Sequence, residues 1–416
     1  MIQAVKGTRD ILPPSSSVWN HVEETARKVF RTYNYQEIRT PIFEETQLFA
    51  RGVGEETDIV TKEMYTFEDR DGSSLTLRPE NTAPVIRAYI EHSLHQQPGL
   101  QKLYYIGPMF RRERPQKGRY RQFYQIGAEA IGSDSPAVDA EVIEMVREVL
   151  LQSGVTGFEV LLNSVGCSEC RPRFLAALKE KLSGVAATMC QDCRRRVDSN
   201  PLRVLDCKVP GDQPVIDSLP SILDHLCPAC AGHFQLVRKF LDDRGITYQV
   251  KPRLVRGLDY YMRTTFEFVH EALGAQNSIL GGGRYDGLAE QLGSRVAAPG
   301  IGFSIGEDRL VMSLEEGSPG LHRHRLELYI APLGQDALRH SAGLAYQLRQ
   351  RGACVELGAD AKLKRGLEVA HKLGARFTLI VGDNEISTGQ YALKNMATGE
   401  QESISGSQLI ERFPLY

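Results

Sequence analysis

One stretch constrains this chain more than any other: Phe110-Arg111-Arg112-Glu113-Arg114-Pro115-Gln116-Lys117-Gly118-Arg119-Tyr120-Arg121. It lies between two apolar runs, Leu103-Tyr104-Tyr105-Ile106 and Phe123-Tyr124-Gln125-Ile126-Gly127, that read as strands. Strand, basic loop and strand fold back as a hairpin. Its loop gathers six arginine and lysine heads between Arg111 and Arg121, beside the single acid Glu113. A solvated, charged hairpin tip is the plain reading. The sharper one is a mouth that holds phosphate, because arginine's planar fork suits phosphate oxygens and keeps its charge at any working pH.

At 416 residues the chain exceeds one ordinary core, so two or three domains are expected. Its 42% hydrophobic and 25% charged residues are those of a globular protein in water. Residues Met1 to Pro14 contain no apolar signal core, and no run approaches the roughly 20 apolar residues of a membrane span. A cytoplasmic protein with no membrane partner is therefore expected. A net charge of −2 argues against indiscriminate nucleic-acid binding, yet a local basic surface can still dock one defined RNA.

Residues 17–33 read as an amphipathic helix behind the Pro13-Pro14 break. Tyr35 to Phe43 alternates as a strand, and Pro41 within it suits an edge where a partner chain can pair. A short strand at 74–78 leads through Pro79-Glu80-Asn81-Thr82 into a helix over 83–92, and 139–153 is helical. From about Cys167 to Val250 the texture changes to helical segments, paired cysteines and closely spaced prolines, which marks an inserted module. Strand signals return at 264–269. A linker at 315–325 precedes alternating strands and helices, expected to form an α/β domain with a largely parallel sheet.

Two further constellations carry polar chemistry. Arg256-Gly257-Leu258-Asp259-Tyr260-Tyr261 puts a guanidinium, a carboxylate and two phenols in six residues. Read as a strand, it sets Arg256, Leu258 and Tyr260 on one face; an ion-paired strand end is the plain alternative. Gly302 to Arg309 reads as an apolar strand that ends at Gly306, with Arg309 opening a helix where it can stack on a base or bind phosphate. The glycine run 281–283 lacks the spacing of a dinucleotide fingerprint and reads as a tight turn beside a small ligand.

Together these segments resemble the class II aminoacyl-tRNA synthetases, and among them the bacterial histidyl-tRNA synthetase family. The resemblance runs from Lys6-Gly7-Thr8-Arg9-Asp10 through a motif 1 strand at Arg39-Thr40-Pro41-Ile42-Phe43-Glu44, motif 2 at 107–129 and motif 3 at 302–309. The segments peculiar to the histidine enzymes are matched by 256–261 and by Gly282-Gly283-Arg284-Tyr285-Asp286. The fold so implied is α+β: an antiparallel sheet flanked by helices (1–166 and 251–320), a cysteine-rich, mostly helical insertion (167–250) and an anticodon-binding α/β domain (325–416). Motif 1 implies a homodimer.

The resemblance implies that L-histidine is activated by ATP, with Mg²⁺, to histidyl-adenylate and pyrophosphate, and then passed to the terminal adenosine of tRNA(His). Arg111 and Arg256 would flank the α-phosphate, and Arg111 would also meet the histidine carboxylate. The chemistry asks for such a pair, since attack of a carboxylate on phosphorus joins two anions and needs charge stabilisation more than a proton-transferring base. Glu113, Arg119 and Arg309 would hold ATP. Glu80, Thr82 and Gln125 would hold the α-amino group, beside Asn81, which stands where the family has glycine. Glu129 and Tyr261 would bond the imidazole, with Tyr260 lining the pocket. Arg112, Arg114, Gln116 and Lys117 would meet the tRNA acceptor end, and Lys362, Lys364 and Arg365 are candidate RNA contacts or a plain solvated face. A catalytically inactive, histidine-sensing regulatory subunit is the alternative; it needs neither an anticodon domain nor both arginines.

Eight cysteines remain, six of them in the Cys-x-x-Cys pairs 167/170, 190/193 and 227/230. In a reducing compartment such pairs clasp zinc more readily than they form disulfides. The expected structural Zn²⁺ site is Cys190, Cys193, Cys227 and Cys230; inert buried thiols are the alternative.

Overall fold

The alternating residues on either side of the basic run become two ten-residue strands paired without a break from Gln101↔Ile131 to Phe110↔Gln122. In this computed structural model, residues 2–55, 57–116, 118–271, 273, 277–317, 326–359 and 362–413 are described. The chain divides into two units, 1–322 and 323–416.

In the first unit the strands are, in chain order, β1 (Gln36–Glu37), β2 (Phe43–Glu45), β3 (Tyr65–Glu68), β4 (Ser74–Leu77), β5 (Gln101–Phe110) and β6 (Gln122–Ile131). They continue as β7 (Glu159–Ser164), β8 (Gln249–Val250), β9 (Met262–Val269), β10 (Ser278–Arg284) and β11 (Gly300–Gly306). Eight of them form one sheet in the order β1-β5-β6-β11-β10-β9-β7-β8. Its six central strands are antiparallel, and β1 and β8 join its edges in parallel with β5 and β7.

Strand alternation divides the sheet's residues between two tasks. Tyr104, Ile126, Phe266, Phe303 and Ile305 enter a core with Phe30, Val142, Val149, Val237 and Leu310 of the helices Ser15–Thr32, Pro136–Ser153, Pro228–Asp243 and Glu307–Gly317. Their neighbours, Tyr105, Gln125, Glu129, Glu267 and Ser304, project from the opposite face. The helix Pro136–Ser153 starts where the Ser135 hydroxyl accepts the Ala137 amide and stops at Gly154 in the left-handed region, the ordinary start and stop of an isolated helix.

Three readings of the strands and turns in the first unit need correction. Tyr35 to Phe43 is not one strand: β1 pairs with β5, whereas β2 joins a separate three-stranded sheet β2-β4-β3. Pro41 lies between them and has no amide with which to continue the ladder. The glycines 281–283 lie inside β10 rather than in a turn. The segment 256–261 is a turn rather than a strand, tied down by the Asp259 amide on the Val53 carbonyl.

The insertion carries its own core, in which Phe174, Leu178 and Leu182 of the helix Cys170–Val185 meet Val197, Val204 and Ile216. Here the expected ligand set fails. Cys190 and Cys193 gather with Cys207 and Asp212, whereas Cys227 and Cys230 gather with Cys167 and Cys170. The sequence spacing shows which cysteines are paired locally but not which pairs converge.

In the second unit β12 (Leu328–Pro332), β13 (Val355–Leu357), β14 (Phe377–Val381), β15 (Gln390–Asn395) and β16 (Gln401–Ser405) form a sheet ordered β13-β12-β14-β15-β16. The first three strands are parallel, as expected, but β15 and β16 extend it antiparallel, so the sheet is mixed. The linker residues 318–325 lie outside the described residues.

Arg284, at the end of β10, is fully buried and anchors the helix Pro136–Ser153 by a hydrogen bond to Asp139 at 3.1 Å and an ion pair with its other oxygen at 2.6 Å. Replacing it would strand a buried carboxylate. Arg284→Ala is expected to destabilise the first unit by about 3–5 kcal/mol, read as a lower thermal midpoint and an earlier denaturant transition.

Candidate active site

The polar face of the large sheet opens into a cavity of about 740 Å³. Glu80, Thr82, Arg111, Glu113, Arg119, Gln125, Arg256, Tyr260, Tyr261 and Arg309 all line it, although they come from well-separated stretches of chain.

Backbone contacts position the arginines. Arg111 leaves the end of β5, donates from Nε to the Pro79 carbonyl at 2.9 Å and packs over the Phe123 ring. Arg309 donates to the carbonyls of Gly118 and Ser278 at 3.3 and 2.8 Å. Arg119 pairs with Glu113 at 2.8 Å. Arg256 lies against β10 and pairs with Glu267 at 3.2 Å, close enough to Gly281 that a Cβ there would sit 2.0 Å from its Nη2. A side chain at 281 would displace the guanidinium, which occupies that place.

A second contact group is polar and aromatic. Glu80 caps the helix Thr82–Glu91, accepting the amides of Thr82 at 2.7 Å and Ala83 at 3.0 Å, and the Tyr260 hydroxyl at 3.4 Å. Burial raises its pKa above the ordinary carboxylate range, while those amides pull it back. Gln125 is nearly buried, and its Oε1 has no hydrogen-bond partner. A buried orphan acceptor on a cavity wall costs about 1–3 kcal/mol unless something donates to it.

Glu129 is completely buried just behind that wall. It accepts from the hydroxyls of Thr82 at 2.8 Å, Tyr285 at 2.6 Å and Tyr105 at 3.5 Å. Gly302 of the neighbouring strand makes room for it, since a Cβ there would fall 1.7 Å from Oε2.

The remaining expected residues are placed differently. Asn81 is buried but turned away from the cavity: its Oδ1 accepts from Thr40 at 2.6 Å and Arg78 at 3.3 Å, so it does not belong to the lining set. Arg112, Arg114 and Gln116 lie exposed on the hairpin tip, and Lys117 lies outside the described residues. Lys362, Lys364 and Arg365 are exposed at the start of the helix Leu363–Lys372. Sequence reasoning assigned no role to Tyr105, Tyr285 or Glu267. Period-two alternation around Tyr105 and Glu267 marked their strands, but no local signal showed that the polar face of those strands is the cavity floor.

A family model of histidyl-tRNA synthetase matches residues 7–310, and one of an anticodon-binding domain matches residues 327–414. The chain belongs to the histidyl-tRNA synthetase family. A histidine–tRNA ligase from Solibacter usitatus (strain Ellin6076) is 70% identical over 412 residues, 99% of each chain. The apo histidyl-tRNA synthetase of S. aureus superposes with a TM-score of 0.82 at 39% identity, over 99% of this chain and 100% of that one. An ATP phosphoribosyltransferase regulatory subunit/histidyl-tRNA synthetase from Bacillus halodurans shares the fold at 20% identity, with a TM-score of 0.66 over 92% of this chain and 98% of that one. Fold alone therefore does not separate ligase from regulator. The close full-length relatives and the anticodon-binding match favour the ligase. Among the described residues no helix is long and apolar enough to cross a membrane.

Burial pushes the Glu129 carboxyl from 4.5 up to about 8, against the pull of the Tyr285 and Thr82 hydroxyls. Above about pH 4.5 the folded chain keeps a proton that the unfolded chain has lost, so stability falls as pH rises towards about 8. Glu129→Gln cannot ionise. Its thermal midpoint is expected to fall less steeply than that of the parent chain between those pH values; equal slopes would contradict the assignment.

Proposed function

We propose that in the histidine–tRNA ligase reaction of this chain Arg111 and Arg256 bind the α-phosphate of ATP while the histidine carboxylate attacks it. The new bond joins the carboxylate oxygen to phosphorus, the bridge to pyrophosphate breaks, and histidyl-adenylate remains. Two anions must approach one another, and two guanidiniums fixed by Pro79, Glu267 and β10 lower that barrier without reorganising during the step. The observation that carries this reading is the seat of Arg256 on Gly281: a cation laid flush on a strand at the cavity surface, with no side chain between.

At the other contact group the α-ammonium of histidine would donate to Gln125 Oε1, to the Glu80 carboxylate and to the Thr82 hydroxyl. Thr82 gives its own proton to Glu129, which leaves its oxygen an acceptor. Glu129 and Tyr261 would serve the imidazole nitrogens, with Tyr260 as wall. A site of buried polar groups rejects ligands that leave those groups unpaired, by about 10⁴–10⁵. Glu113, Arg119 and Arg309 would hold the adenine and outer phosphates. Mg²⁺ would arrive with the triphosphate, and the cavity-lining carboxylates Glu113 and Glu267 suit its preference for oxygen. When bound it would neutralise phosphate charge.

The second step passes histidine to the terminal adenosine of tRNA(His). Arg112 and Arg114 on the hairpin tip suit phosphate contacts at the acceptor end, and the second unit suits the anticodon. A homodimer is supported by an apolar patch on the small sheet, where Ile42, Phe43 and Phe67 are 43%, 53% and 44% exposed beside the edge strand β2.

Two measurements test these assignments. Arg256→Ala should lower histidine-dependent exchange of pyrophosphate into ATP by about 10²–10³, with histidine binding kept within several-fold; unchanged exchange would remove Arg256 from the step. Phe43→Asp combined with Phe67→Asp should convert a sedimenting dimer into monomer, and a persisting dimer would place the interface elsewhere.

A further inference from the structure

The insertion holds two clusters of ligand atoms that the reaction does not explain. In the first, the sulfurs of Cys167, Cys170, Cys227 and Cys230 lie within 4.8 Å of one another, with Cys167 Sγ 3.6 Å from Cys170 Sγ and 3.9 Å from Cys227 Sγ. Four thiolates at about 2.3 Å from a tetrahedral zinc have edges of about 3.8 Å, whereas a disulfide spans about 2.05 Å. In the second, Cys190, Cys193, Cys207 and Asp212 meet the same limit, with 3.9 Å from Cys190 Sγ to Cys207 Sγ and 3.3 Å from Cys207 Sγ to Asp212 Oδ2.

Backbone amides point at the sulfurs: Cys227 N–H donates to Cys170 Sγ at 3.0 Å, and Cys193 and Val209 N–H donate to Cys190 and Cys207 Sγ at 3.4 Å. Such donors stabilise thiolates, the form that binds metal, and fix their orientation. Ordinary buried thiols would be expected to pack against apolar carbon. The first group instead forms a small cluster of its own, with Leu226 as the one further apolar side chain packed against it among the described residues.

We propose that each cluster is a structural zinc site, one built from four cysteines and one from three cysteines and an aspartate, and that together they hold the turn that carries the histidine pocket. The first clamps the two ends of the insertion, joining Cys167 after β7 to Cys227, 60 residues on, at the start of the helix Pro228–Asp243. Arg171, next to Cys170, donates to the carbonyls of Tyr261 and Asp259. The second anchors the segment in which Arg203 donates to the Gly257 carbonyl at 3.1 Å. Each metal site thus stands behind one of the grips on 257–261, beside Arg256 and Tyr261. The ligand softness and tetrahedral spacing favour zinc over oxygen-seeking cations.

The test is zinc content per native chain purified without chelator, with cobalt exchange as a spectral readout. Two equivalents are expected, falling to one in Cys167→Ser/Cys170→Ser and to one in Cys193→Ser/Cys207→Ser. Cobalt exchanged into the parent chain should show thiolate-to-metal charge transfer and tetrahedral visible bands, which needs no variant to fold. Chelation should raise KM for histidine several-fold more than KM for ATP. Zinc below about half an equivalent, or cobalt without thiolate bands, overturns both sites. One equivalent lost only with the Cys167/Cys170 variant overturns the second site and keeps the first. Zinc at two equivalents in a chain inactive with histidine would retain this proposal while refuting the assigned reaction.

Discussion

Everything in the cavity depends on how closely charged side chains approach the strand backbone. Arg256 rests where the side chain of residue 281 would be, and Glu129 where that of residue 302 would be. Both glycines lie in regular antiparallel strands, so they serve by absence of bulk rather than by unusual torsion. A methyl at either place would push the charged group out of line and disturb the pocket around it.

The sheet that allows this approach also supplies the rigidity. One set of alternate residues fills a helix-covered core and the other set forms the floor, so the floor cannot shift without repacking the core. Arginine heads are then held by fixed carbonyls and carboxylates instead of by solvent. Burial raises the Glu80 and Glu129 carboxyls at the same time. The arginines and the desolvated Glu80 thus line one cavity, with the desolvated Glu129 just behind its wall.

Much of the site was legible in the chain because its motifs are local. The basic hairpin, the 256–261 segment and the Gly302–Arg309 strand-to-helix turn each announce themselves by composition within a dozen residues. Long amphipathic helices were found within a few residues of their observed limits. Tyr105 and Tyr285 went unassigned because their hydroxyls act on Glu129 from stretches far apart in sequence. The strand reading of 256–261 failed because tertiary ties to Val53 and Gly281 outweigh local β-propensity.

The sequence by itself determined the motifs that carry the family resemblance, the long amphipathic helices and the alternating strands and helices of the second unit. Spacing and periodicity carry that information because helices and strands repeat over short distances. Only the tertiary structure decided which distant residues converge. It turned Asn81 towards Thr40 and Arg78, put the glycines 281–283 in a strand, and regrouped the cysteines as 167/170/227/230 and 190/193/207 with Asp212. The physical reason is the same in each case: convergence is set by core packing between elements far apart in the chain, and no local pattern of residues records it.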